Sequence, residues 1–403
     1  MKILTIAPYL GSTYGGISKI VTELVQTIGN FGITVDLVVT HANGFNNLDV
    51  PLHVWIPEKN YRVQYFSCWY HNDLIISSSL SNWLFHHVTD YNLVHTHTIF
   101  APLISLTHWL CQFHQIPYIV TPHGMLEPWA LSYKAWKKHL YYTLIEKQAL
   151  QRASAIQGTA SSEVDHIMSL GFKHTINIPN GLNLKEFEVL TEPRIFYQNF
   201  PNTKNKVLIL FLGRIDPKKG LDLLAPAFAK VHSQFPQSHL VIAGPDSIGF
   251  LSTAKSYFAR AGCFDAVTFT GMLSGKLKYA ALAAASLYVA PSYSEGFSMS
   301  VLEGMASGLP CVITNGCNFP EAAGAQVAHV VNIDANAIAS ALSHCLGNSQ
   351  EAKEMGDRAR KFIFQNYTWE QAVQKLLEVY QTILKNKEIN KIRQAIINKK
   401  SFE

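Results

Sequence analysis

At 403 residues the chain is longer than one hydrophobic core sustains, so two domains are expected. Apolar residues make up 48% and charged residues 15%, the balance of a well-buried globular protein. A net charge of +5 is too weak for a nucleic-acid-binding surface and suits anionic substrates or an anionic membrane surface. The six cysteines (68, 111, 263, 311, 317 and 345) are scattered, without zinc-ligand spacing, and read as free buried thiols in a reducing compartment.

Residues 2–7, Lys-Ile-Leu-Thr-Ile-Ala, read as a first buried strand and are too short for a signal-peptide core. Helix 16–31 and strand 34–39 follow, and 43–63 is irregular. A strand ends at 93–95, then come helix 99–114, strand 117–121, helix 134–151, strand 153–157 and helix 161–170. Alternation of this kind predicts a parallel sheet with helices on both faces. Residues 185–205 are turn-rich and without period, which places a domain boundary there. The pattern restarts with strands at 206–212, 239–243, 267–270, 287–290 and 310–314, and helices at 219–235, 251–261, 275–285 and 299–307. The expectation is an α/β protein with two doubly wound parallel-sheet domains, 1–190 and 191–365, facing a cleft. Residues 366–403 form a C-terminal amphipathic helix and basic tail, expected to pack back toward the first domain. Thr368 is its candidate N-cap, with Gln371 three residues on. No run approaches the roughly 20 apolar residues of a membrane span, so a cytoplasmic protein is expected.

Three places carry chemistry. Glu295 lies just past a strand end and Glu303 in the following helix, where open α/β sheets bind ligands. Two carboxylates there accept hydrogen bonds from several hydroxyls, as a sugar and a ribose require; as isolated residues such glutamates are more often a loop charge and a solvated helix position. Arg214 and Lys219 lie between a strand end and a helix start, a fork and a point charge suited to two phosphates. Gly15-Gly16 precedes the first helix, whose unobstructed N–H groups suit a diphosphate, although the pattern is not that of a dinucleotide fold. His95 and His97 share a strand face as a conceivable metal pair, but no third ligand accompanies them, and no metal is expected. Glu321 lies past another strand end, within reach of the site or merely on the surface. The stretch Trp129, Lys134, Trp136, Lys137, Lys138, His139 reads as a solvated amphipathic helix, with contact to anionic lipid as the alternative.

These residues together carry a resemblance. Gly213-Arg214 with Lys219-Gly220, then Pro291-Ser292, Glu295-Gly296-Phe297 and Glu303-Gly304-Met305-Ala306-Ser307-Gly308-Leu309-Pro310, is similar to the group 1 (family 4-like) retaining glycosyltransferases. Gly15-Gly16, Thr121-Pro122-His123-Gly124 and Ile178-Pro179-Asn180-Gly181 agree, and the His123 stretch resembles bacterial exopolysaccharide-type transferases. The resemblance implies the GT-B fold and transfer of a hexose, with retention, from a nucleotide diphosphate sugar to a saccharide or polyprenyl-linked acceptor. No cofactor or metal is implied. Glu303 would hold the ribose, and Glu295 with the backbone of Gly296, Phe297 and Ser298 the sugar. Arg214, Lys219 and the Gly15-Gly16 turn would hold the diphosphate, and His123 would lie near the sugar. Gly271, Met272 and Leu273 would meet the base, with UDP and GDP both open. Ser298 stands where the family commonly has glycine. The alternatives are a non-catalytic nucleotide-sugar-binding subunit and a GT-B epimerase. The place of action expected is the cytoplasm, with peripheral contact at the inner face of the plasma membrane.

Overall fold

The computed structural model describes residues 1–44, 46–71, 74–132 and 135–400. Lys134 and residues 401–403 of the expected basic tail lie outside the described residues, as does the side chain of Lys137. The chain forms two compact units: residues 1–159, 163–181 and 369–403, and residues 160–162 and 182–368.

The first unit is built on an eight-stranded sheet. Its strands are β1 (Lys2–Tyr9), β2 (Thr34–Thr40), β3 (Trp55–Pro57), β4 (Arg62–Phe66), β5 (Leu93–His97), β6 (Tyr118–Thr121), β7 (Ala155–Gly158) and β8 (Thr175–Asn177). Their order is β8-β7-β6-β5-β1-β2-β4-β3. Every pairing is parallel except that of β3 with β4 at one edge. β1 is central and buried on both faces, so it reads as an apolar run and not an alternation. β4 lies in the stretch expected to be irregular and just beyond it. Its polar residues have a specific partner: Arg62 donates from Nε and Nη2 to the Asp36 carboxylate at 2.6 and 2.8 Å, and the Tyr91 hydroxyl donates to the same group at 2.6 Å.

Helix α1 (Gly16–Asn30) buries Ile20, Val21, Leu24, Val25 and Ile28 at helical spacing. Helices α2 (Ser78–His87) and α3 (Pro102–Phe113) follow. α3 begins at Pro102, not at 99, because Thr98 (φ 71°) and Phe100 (φ 61°) take left-handed backbone conformations that no helix continues through. The expected 134–151 helix is three pieces, Ala135–Tyr141, a π-helical turn Tyr142–Glu146, and Lys147–Arg152. The C-terminal helix, Trp369–Lys400, belongs to the first unit. It packs on α1, where Trp369 Nε1 donates to Glu23 at 2.6 Å.

The second unit carries β9 (Val207–Leu212), β10 (Ser238–Ala243), β11 (Val267–Gly271), β12 (Leu287–Ala290), β13 (Cys311–Thr314) and β14 (His329–Val331), ordered β11-β10-β9-β12-β13-β14 and wholly parallel. β9 shows why both faces are apolar: Leu208, Leu210 and Leu212 enter one core cluster and Ile209 and Phe211 the other. The strand order reverses between β9 and β12, the place where doubly wound sheets bind ligands. The turn-rich 185–205 segment is not a bare linker. Its short helices Lys185–Glu188 and Arg194–Asn199 insert Phe187 and Phe196, 0% and 1% exposed, into the core of this unit. The second unit therefore takes in the chain from Leu182, ahead of the boundary expected at 191.

Candidate active site

In the second unit the loops after β9 and β12 meet at the carboxyl edge. Gly220 makes this approach possible. It is left-handed (φ 70°), and a Cβ there would stand 2.0 Å from the carbonyl oxygen of Pro291. Tyr293 N donates to the Lys218 carbonyl at 2.8 Å across the same seam.

Glu295 is 7% exposed and is bonded by side chains through one of its carboxylate oxygens. Lys219 Nζ lies 2.5 Å from its Oε1, and Ser292 Oγ donates to the same oxygen at 2.7 Å. Its backbone is held as well, N to the Gly316 carbonyl at 2.8 Å and O by Asn318 Nδ2 at 2.5 Å. Burial pushes the carboxyl up, but Lys219 and Lys218 outweigh it and hold it at about 2. Burial, relieved in part by Glu295, and the neighbouring Lys219 and Arg214 lower Lys218 in turn. Arg214 is held loosely, its Nη2 4.0 Å from Asp216, whose side chain caps the Pro217–Lys219 turn. Two lysines thus act on one ionised carboxylate, and Arg214 acts in turn on Lys218.

Glu303, on α7 (Met299–Ala306, with α4 Leu221–Gln234, α5 Leu251–Arg260 and α6 Gly275–Ala284 before it), is 7% exposed. It pairs with Lys278 of α6 at 2.8 Å. Between the two glutamates, Gly296 leads into Phe297, whose ring packs inward against Phe319 and Tyr367. Its backbone alone stays at the loop. Ser298 is 7% exposed and turns its hydroxyl to Ser300, 3.3 Å away. Gly271 (φ 72°) ends β11 and accepts from Gly244 N at 2.8 Å; Met272 beside it is half exposed and Leu273 buried. Glu321 accepts from Ser161 Oγ at 2.7 Å.

In the first unit Gly15 (φ 76°) caps α1 without a side-chain hydrogen bond, and Gly16 opens the helix. His123 follows β6 with φ 54° and Gly124 with φ 76°. Glu163, wholly buried, fixes this turn: it accepts from Gly124 N at 2.5 Å through Oε1, and from Thr159 N and Oγ1 at 2.7 and 2.8 Å through Oε2. Glu146, on the π-helical turn, does the same after β5, accepting from Phe100 N and Ser105 Oγ at 3.0 Å. The left-handed backbone of Phe100 and His123 at these two strand ends is thus held in place by buried carboxylates. His123 Nε2 lies 3.0 Å from His97 Nδ1. Burial lowers His123 to about 4, so its ring is neutral near pH 7. His95 is engaged on both nitrogens, by Tyr380 OH at 2.6 Å and Thr121 Oγ1 at 2.7 Å, which leaves no metal pair with His97.

The spacing-based reading missed Lys218, Lys278 and Glu163, and it took His97 only as half of a conceivable metal pair with His95. Lys218 adjoins Lys219 and could have been counted with it. Lys278 sits in Lys276-Leu-Lys278, indistinguishable from a solvated helix face.

Two parallel-sheet α/β units with these loops at the carboxyl edge of the second sheet define a glycosyltransferase of the GT-B fold. The same fold occurs in sucrose-phosphate synthase from Thermosynechococcus elongatus (TM-score 0.77, 21% identity, 96% of this chain and 100% of that one). It occurs also in Anabaena HepE in complex with UDP and glucose (TM-score 0.75, 17% identity, 95% and 100%). Residues 194–362 match the model of the glycosyl transferases group 1, and residues 14–186 that of glycosyltransferase family 4. The chain belongs to the group 1 glycosyltransferases. Among its relatives are the phosphatidyl-myo-inositol mannosyltransferase of Mycobacterium tuberculosis, 23% identical over 95% of this chain and 97% of that protein, and the mannosylfructose-phosphate synthase of Agrobacterium fabrum, 25% identical over 76% and 73%.

Proposed function

We propose that the protein is a retaining, metal-independent hexosyltransferase that moves a sugar from a UDP- or GDP-sugar to a saccharide or lipid-linked saccharide acceptor in polysaccharide biosynthesis. The observation that carries this reading is the ionised Glu295 held by Lys219 and Lys218, with Arg214 on the same loop after β9. Breaking the anomeric C–O bond leaves negative charge on the diphosphate, and preorganised cations at that position lower the barrier. An ammonium has three donors. Lys219 spends one on Glu295, so the others can meet a phosphate oxygen without breaking the pair. Glu295, ionised far below neutral pH, accepts hydroxyls of the hexose through its second oxygen, with Gly296, Phe297 and Ser298 contributing backbone N–H groups. Glu303 receives the ribose and Gly271, Met272 and Leu273 the base. Gly15 and Gly16 approach the diphosphate, and His123 the sugar. In a same-face displacement the leaving phosphate accepts the acceptor's proton, and no enzyme nucleophile is required. The UDP and glucose held by HepE, and the lipid named in the mycobacterial relative, support a nucleotide donor and a saccharide or lipid acceptor.

Calorimetric titration with UDP, GDP and ADP, and with their sugar conjugates, in EDTA tests the reading. Binding of one nucleotide class, lost in Arg214→Ala, is expected. Absence of binding in EDTA, restored by a divalent cation, would overturn metal independence. Binding with no transfer to any saccharide or polyprenyl acceptor would favour a non-catalytic nucleotide-sugar-binding subunit.

A further inference from the structure

The face of the first sheet that carries His95 and His97 holds an unusual amount of buried polarity, and its hydrogen bonds have a readable direction. Gln157 Nε2 donates to the Ile178 carbonyl at 2.9 Å, so Gln157 Oε1 is the acceptor for Thr121 Oγ1 at 3.1 Å. A hydroxyl has one proton. Thr121 therefore accepts from His95 Nε2, which must carry hydrogen, and His95 Nδ1 accepts from the Tyr380 hydroxyl. His95 is thus committed to one tautomer by partners on both sides and has nothing to offer His97, although their ring centroids are 4.5 Å apart.

His97 is 1% exposed, and its Nε2 is buried without a partner among the described residues. Its Nδ1 faces His123 Nε2 at 3.0 Å, the two rings stacked with an interplanar angle of 24°. An orphaned buried N–H is rarer in proteins than an under-satisfied acceptor. The His97 proton accordingly sits on Nδ1, where it has an acceptor, and the lone pair sits on the orphaned Nε2. Each ring can then hold only one proton. Burial drives both imidazoles well below their usual range, so neither carries a second.

We propose that His97 is a positioning residue: by donating from Nδ1 to His123 Nε2 it fixes His123 as the neutral tautomer protonated at Nδ1, a permanent hydrogen-bond donor for a substrate oxygen. The substrate half of this statement rests on the reading of His123 as a sugar contact. His123 then cannot deliver or remove a proton in turnover. It polarises or orients a hydroxyl, and the turn that holds it (φ 54°, with Gly124 pinned by Glu163) is part of the same device.

The test is long-range nitrogen–proton NMR on full-length protein labelled with ¹⁵N-histidine, without substrate, the His123 signals being assigned by their loss in His123→Gln. The expected spectrum has pyrrole-type Nδ1 and pyridine-type Nε2 for His123. In His97→Phe it should become an average of tautomers, and His97→Asn, whose amide nitrogen stands near the Nδ1 position, should restore it. A wild-type His123 protonated at Nε2, or one unchanged in His97→Phe, overturns the proposal. Turnover is read on the same variants: kcat should fall roughly tenfold in His97→Phe, the scale of one neutral hydrogen bond, with recovery in His97→Asn and KM for the donor little changed. Loss of activity in His97→Phe that His97→Asn fails to recover would mark His97 as structural and overturn the positioning role. The turnover of His123→Gln separately decides whether His123 meets the sugar, since the NMR result needs no substrate.

Discussion

Lys219 and Glu295 share a hydrogen bond of 2.5 Å between side chains 12% and 8% exposed, so that each is the other's counter-ion. Neither can be removed without leaving a charge in a dry place. Lys219→Met should cost about 10²–10³ in kcat, as for one preorganised donor at a developing anion, and should raise the Glu295 carboxyl, since burial then acts with less opposition. The acid limb of the rate profile should accordingly move to higher pH. Glu295→Ala should lower transfer strongly while leaving the affinity for free nucleoside diphosphate nearly intact. Equal losses of nucleotide affinity in Glu295→Ala and Glu303→Ala, by calorimetry, would contradict the separate roles.

Glu303 and Lys278 form the second such pair, on consecutive helices of the second unit. A hydrogen bond to a charged group is worth about 1.5–3 kcal/mol, so Glu303→Ala should weaken nucleotide binding roughly 10- to 150-fold. Lys278→Ala leaves a carboxylate that is 7% exposed without its cation. It should lower the unfolding temperature as well as the affinity, whereas Lys276→Ala should do neither. Differential scanning fluorimetry with and without nucleotide separates the two effects.

The buried histidines of the first unit give stability an acid limit. Burial lowers His95 and His108 to about 3 and His123 to about 4, and holds His97 well below its ordinary range, against about 6.5 in an unfolded chain. Below pH ~6.5 the unfolded state binds protons that the native state refuses, so stability falls as the pH drops from ~6.5 toward ~4 and is fully present above that window. Each of His95, His97 and His108, 0–1% exposed, contributes up to ~1.4 kcal/mol per pH unit. Glu146 and Glu163, raised by burial, act with the opposite sign. Urea midpoints at pH ~7 and ~5 should differ, and His108→Gln, whose partner is Thr96 and not the His123 turn, should narrow the gap. An unaltered gap in that variant would remove the histidines as its cause.

A ridge of exposed apolar side chains runs at helical spacing through Trp136, Leu140 and Leu144, which are 72%, 54% and 66% exposed. It begins at Trp136 in the stretch for which lipid contact was the alternative reading and runs on beyond it, and no described helix is long and apolar enough to cross a membrane. If the ridge rests on lipid, Trp136→Ser with Leu144→Ser should release the protein from anionic vesicles in a sedimentation assay and leave transfer to a water-soluble acceptor unchanged. Unchanged partitioning would return the ridge to an ordinary solvent face.

The parallel strands of the second unit were legible because both of their faces are buried: Val207–Leu212 and Leu287–Ala290 are plain apolar runs. The edges were not. Trp55–Pro57, Arg62–Phe66 and His329–Val331 are short or polar, and Arg62 joins the sheet through Asp36, a partner that only the fold supplies. Phe187 and Phe196 sat among turn residues, where two buried rings leave no period. Lys219 and Glu295 could be singled out by their place after apolar runs. Lys278 with Glu303, and His97 with His123, could not, because each pair joins neighbouring strand–helix units and has no local pattern.

The Tyr380 hydroxyl closes the hydrogen-bond chain through His95, Thr121 and Gln157, and Val373 and Leu376 of the same helix are fully buried. During synthesis these residues emerge after every strand of the second unit has left the ribosome. Domains form as they emerge, so the second unit can complete its core while the first, although made earlier, still waits with His95 lacking its phenol. A nascent chain halted anywhere before residue 369 carries all eight strands of the first sheet but lacks the phenol that His95 bonds and the helix that bears it.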